Sequence, residues 1–216
     1  MLNQGQVGAL ATSASLAAGS QPVQRFGNMG DAIVSELHGR YYEQAYRKAS
    51  FGGSTGGIVA TALASGLTAS YTGGLVLANP YGSSVNLVLQ KVGVGFVVAQ
   101  TNAAVIGLGV GQSATALTGT LTSMNPRSKN IGSSAAPVGQ LYSSATITLP
   151  VAPTLDTILG TVDTGALTVN GVGPGGTIDL EGSIILPPGA FACLVSTAAG
   201  TASSLVAAFA WEEVPL

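Results

Sequence analysis

The chain has 216 residues and a formal net charge of −2, with 46% hydrophobic and only 7% charged residues. An ordinary soluble domain carries about 25% charged residues, so the polar faces of several soluble helices cannot be supplied here. Seven basic residues exclude a nucleic-acid binder that neutralises many phosphates, and a single cysteine excludes an internal disulfide or a cysteine metal cluster.

Residues 1–24 contain no charge and are rich in Gly, Ala, Ser and Gln. They read as an extended N-terminal arm ahead of one domain over 25–216. The arm lacks a basic leader region, its first positive charge being Arg25, so a secretory signal is not expected. Residues 25–48 hold seven of the sixteen charged residues. Within them, 32–37 reads as a short strand. Residues near 40–48 read as one short helix, with Tyr42, Ala45 and Tyr46 on one side.

From there the pattern is β throughout. Thr and Val suit pleated strands, and strands are predicted at 58–64, 75–78, 85–90, 92–99, 104–110, 115–122, 144–149, 166–170, 176–186, 190–196 and 204–213. Turn signals at 79–82, 125–126, 173–176 and 187–189 separate them. Short strands without helical alternation predict an all-β fold, a single β-sandwich or jelly roll. Between 85 and 98 the apolar phase switches. Val85, Leu87 and Leu89 share one parity, while Val92, Val94, Phe96 and Val98 share the other. A bulge near Gln90–Lys91 or an edge-to-core transition would reconcile the two sets. The predicted core is Leu87, Leu89, Val94, Phe96, Ile147, Leu149, Ile184, Leu186, Leu194, Phe209 and Trp211.

Residues 92–111 come closest to a membrane span, but Gln100, Thr101 and Asn102 interrupt them and a hairpin is expected instead. The twelve aromatic residues do not bracket the strands as a membrane barrel's girdles would. No membrane and no nucleic-acid partner is therefore expected.

Catalytic motifs are weak. The only histidine, His38, has Asp31 and Glu36 nearby in sequence but no nucleophile-elbow motif to serve. Cys193 lies in an apolar strand far from any basic residue and reads as a small hydrophobe. The glycine clusters at 52–57, 107–111 and 171–176 lack phosphate-loop context and read as turn chemistry. Asp179 and Glu181 read as solvated charges on one face of a strand. No cofactor, metal site or catalytic residue is expected, although a small hydrolase built around His38 is the rival from another class. The residues that suggest contact are Arg40, Tyr41, Tyr42, Tyr46 and Arg47, because Tyr and Arg concentrate at interface cores. They serve equally well as the closure of one end of a sandwich. Charge is also segregated. Residues 49–155 carry only Lys91, Arg127 and Lys129, whereas 156–216 carry six acids and no base. The two halves either pair within one chain or join neighbours.

Four segments, 38–51 (HGRYYEQAYRKASF), 75–96 (LVLANPYGSSVNLVLQKVGVGF), 182–195 (GSIILPPGAFACLV) and 209–216 (FAWEEVPL), together resemble tailed-bacteriophage virion structural proteins. The resemblance implies a non-enzymatic jelly-roll module that decorates or cements a capsid, commonly as a homotrimer. It implies a major capsid protein or another virion protein as partner, and a place in the virion after assembly in the host cytoplasm. A tail- or fibre-associated receptor-binding module is the alternative, with loop 123–143 as the contact region.

Overall fold

A computed structural model of the protein describes residues 39–55, 67–71, 73–98, 103–143, 146–162, 176–198 and 204–216. The predicted arm at 1–24, the strands at 32–37, 58–64 and 166–170, and His38 lie outside these residues. In chain order the elements are α1 (Tyr42–Tyr46), β1 (Ser50–Ser54), β2 (Ser70–Tyr71), β3 (Val76–Ala78), β4 (Val85–Val98), β5 (Ala104–Gln112), β6 (Thr118–Gly119), β7 (Arg127–Ser128), β8 (Gln140–Tyr142), β9 (Ile147–Thr148), β10 (Thr154–Val162), β11 (Gly176–Asp179), β12 (Ile185–Leu186), β13 (Ala190–Ser196) and β14 (Ser204–Pro215). The protein is an all-β sandwich, as its composition predicts, with one short helix among the described residues.

The larger sheet runs β11-β4-β14-β1-β7, with β12 also paired to β4. The second runs β10-β5-β13-β3-β8, and a small third sheet runs β2-β9-β6. All the pairings described are antiparallel. β4 pairs with β14 and β5 with β13, so two successive strands near the middle of the chain meet two successive strands at its end, one pair in each sheet. Two apolar clusters explain the layering. Phe51, Leu87, Leu89, Val92, Phe209 and Trp211 of the larger sheet meet Leu77, Ile106, Leu108 and Leu194 of the second. On the opposite face of the second sheet, Val76, Phe191, Cys193 and Val195 meet Tyr71, Ile147 and Leu149 from the small sheet and its flank. β13 is therefore buried along its whole length, which its continuous apolar run encodes.

The phase switch in β4 is a bulge. Lys91 pairs with Ala210 and Leu89 with Trp211, leaving Gln90 as the extra residue. Leu87, Leu89 and Val92 are consequently all buried on the same face despite their opposite parity. The bulged residue is itself engaged. Its side-chain Oε1 accepts a hydrogen bond from Ser50 Oγ at 2.9 Å, and its carbonyl accepts one from Leu180 N at 2.8 Å.

Several expectations change. Residues 176–186 are not one strand but β11 and β12, separated by a turn in which Glu181 (φ 54°) and Gly182 (φ 79°) take left-handed backbone. Asp179 and Glu181 therefore do not share a strand face. Among the described residues, the predicted strands at 115–122 and 144–149 shrink to β6 and β9. Val94, Phe96 and Ile184 are partly buried against the main cluster rather than inside it. The glycines at 107, 109 and 111 lie within β5, and Gly52 and Gly53 within β1, rather than in turns. A Cβ at Gly107, Gly109 or Gly111 would come within 2.2 Å of Leu155, 2.8 Å of Val195 or 2.6 Å of Phe191, respectively. These glycines make room for large neighbours on one face of the second sheet.

Candidate functional site

The five contact residues predicted from sequence split into two groups. Tyr42 and Tyr46, one helical turn apart on α1, stack with ring centroids 5.9 Å apart and remain exposed. Arg47 Nε donates to Glu43 Oε1 at 2.6 Å, an i,i+4 pair on the exposed side of the same turn. Arg40 is exposed in the turn before the helix. Tyr41 differs. Its hydroxyl donates to the Asp179 carboxylate on β11, and Lys91 Nζ lies 5.2 Å from the centre of its ring. Lys91 Nζ also lies 3.8 Å from Asp179 Oδ2. Tyr41 thus ties the chain before α1 to the outer face of the larger sheet, while Tyr42, Tyr46 and Arg47 present an exposed rim.

That outer face carries a lateral row of residues. Arg127 on β7 pairs with Gly52 on β1, Gly52 with Ala210 on β14, Ala210 with Lys91 on β4, and Lys91 with Asp179 on β11. Lys129 follows β7 and donates its backbone N–H to Ser50 O at 2.8 Å. Its side chain lies across the sheet over Gly52, where an added Cβ would come within 2.5 Å of Lys129 Cε. Gly52 is the one position of the row where a missing side chain admits a lysine stem. Burial, then Arg127, then Lys91, hold the Lys129 ammonium below its ordinary pKa. The three cations isolated in residues 49–155 of the sequence therefore meet in space. The charge segregation was the legible signal for them, but no local motif marked the convergence.

The acids have separate tasks. Glu213 accepts backbone hydrogen bonds from Val138 N and Gly139 N, both at 2.8 Å, and one from Trp211 Nε1 at 3.2 Å. Glu212 is pushed up from the ordinary carboxylate range by burial, with Arg47 opposing. Asp179 serves Tyr41 and Lys91, so part of the segregated charge pairs within one chain. Asp156 stands exposed on β10 and accepts from Thr157 Oγ1 at 2.7 Å.

Among the described residues, no group of three or more His, Cys, Asp or Glu side chains is placed to hold a metal ion. None of the described helices is long and apolar enough to cross a membrane. Cys193 is fully buried on β13, and burial pushes its thiol far above the ordinary range. The thiolate is the reactive form, so Cys193 should resist a thiol-specific reagent in the native protein and react stoichiometrically once guanidinium chloride unfolds the chain. Rapid labelling of the native state would show that β13 is not the closed central strand described here. Comparison of the chain with protein-family models, with curated proteins and with solved structures finds no match.

Proposed function

We propose that the protein is a non-enzymatic virion structural protein, a jelly-roll module that binds the outside of a bacteriophage capsid and stabilises the lattice by bridging subunits. The observation that carries this reading is the surface. Large apolar side chains stand open to solvent on separate parts of the fold, Ile131 at 77%, Tyr81 at 63%, Ile158 at 61% and Ile185 at 56% exposure. A chain with 7% charged residues has little charge to keep such a surface apart from its neighbours. Both features suit a protein whose surface is covered in a permanent assembly. A contact of standard size removes about 1,600 Å² from water, and a lattice repeats that gain at every copy.

Segment 123–143, expected as a loop but containing β7 and β8, favours a second reading, a tail- or fibre-associated receptor-binding module. Ser123, Asn125, Gln140 and Tyr142 line an open groove of about 340 Å³ there, and hydroxyl and amide groups of this kind can hydrogen-bond sugar hydroxyls. Add-back to particles made without the protein separates the two. The capsid reading expects saturable binding to heads and greater resistance of the shell to heat. Binding to host cells or their glycans, with none to heads, would replace it by the receptor reading.

A further inference from the structure

Two patches at opposite edges of the larger sheet carry unpaired charge of opposite sign. In one patch, Arg127 on edge strand β7 and Lys129 beside it flank Gly52, with Lys91 farther along the same row. Lys91 has Asp179 within ion-pairing distance, but among the described residues neither Arg127 nor Lys129 has a carboxylate so close. Gly52 and Ala210 give this face a floor without bulk, and Lys129 lies flat across it. Arg127 and Lys129, like charges with no carboxylate close by, repel one another, and a partner's carboxylate relieves that repulsion.

At the opposite edge of the larger sheet lies β12, and β10 is an edge strand of the second sheet. Between them runs an open groove of about 480 Å³, lined by Val110, Asp156, Ile184, Ile185 and Pro187. Asp156 is exposed, and among the described residues it has no cation within ion-pairing distance. Glu181 stands in the turn that leads into β12. An acid thus sits beside exposed isoleucine in one patch, and uncompensated cations sit in the other. β7 and β12 are at opposite edges of the same sheet, so the two patches do not compete for one surface.

We propose that the Arg127–Lys129 face of one copy docks the Asp156–Ile185 groove of a second copy, joining the chains head to tail. Such a contact is heterologous, and it closes into a ring when its rotation permits and continues as an open array when it does not. Apolar area from Ile185 supplies the attraction, and the carboxylate–cation meeting sets register and partner choice. The inference concerns the purified chain. Failure of self-association would leave capsid binding untouched, and absence from particles would leave this contact untouched.

Sedimentation of the full chain tests it. The wild type is expected to associate at low salt and to weaken as salt rises, because exposed charges are screened beyond about 8 Å at physiological ionic strength. Lys129→Glu and Asp156→Lys are each expected to raise the dissociation constant about tenfold or more, with the circular dichroism unchanged. The double variant Lys129→Glu/Asp156→Lys reverses both partners and is expected to recover association to within about threefold of wild type. If Lys129→Glu disturbs the sheet, Arg127→Glu takes its place with the same Asp156→Lys partner. A monomeric wild type at low salt, single variants that associate normally, or a double variant without recovery would each overturn the proposal.

Discussion

Trp211→Ala is expected to destabilise the fold by about 3–5 kcal/mol, the cost of removing a large aromatic side chain from a closed core. Trp211 is fully buried on β14, where the larger sheet faces the second, and its ring lies 6.3 Å from that of Phe51 on β1. It also sits at the β4 bulge, opposite Leu89, so truncation opens a cavity where the sheet register shifts. For a domain of this size the loss corresponds to a fall in Tm of roughly 10 °C. Trp211→Phe keeps much of the volume and should cost clearly less. Chemical denaturation of the two variants checks both values, and a loss below about 1 kcal/mol for Trp211→Ala would remove this residue from the core.

Glu213→Ala should have the second largest effect. One carboxylate accepts from two successive backbone amides, Val138 and Gly139, and from the Trp211 indole. Hydrogen bonds to a charged group contribute about 1.5–3 kcal/mol each, but Val138 is partly open to water, which offers its amide a substitute partner. The net cost expected is about 2–3 kcal/mol. The effect should be local as well as global. Gly139 leads into β8, so its amide should lose hydrogen-exchange protection in Glu213→Ala while amides of β13 keep theirs at moderate denaturant. Equal loss across both sheets would mean that Glu213 does not act as the clasp of this loop. Glu213→Gln, which retains one acceptor oxygen, should fall between wild type and Glu213→Ala.

The sequence was readable where its pattern was long and unbroken. β13 and β14 emerge close to their predicted spans because their apolar runs are continuous. The bulge in β4 was legible because two clean alternating sets of opposite parity abut at Gln90. β10 was not, although it is nine residues long. Two register shifts, at Asp156 and Leu159, scramble the alternation of TLDTILGTV before it can be recognised. β1 was hidden by Gly52 and Gly53, which read as a turn but serve as strand positions crossed by Lys129 and Leu141. Leu75, Leu77, Leu108 and Phe191 join the core beside the predicted residues. Their strands were recognised, but Leu75, Leu77 and Leu108 pack in the main cluster between the two large sheets, whereas Phe191 is buried by a small third sheet that no local signal announces. The contact residues were legible in part. Tyr42, Tyr46 and Arg47 form an exposed rim on α1, whereas Tyr41 is committed to Asp179. The basic convergence of Lys91, Arg127 and Lys129 depends on strand order, which a charge count cannot supply.

Imaging of phage particles with a gold-labelled antibody against this chain tests the central claim most directly. The capsid reading predicts gold distributed over the outer surface of the head shell at many copies per particle. Gold confined to the tail tip, or particles that carry none while the protein stays in the unassembled fraction, would contradict it.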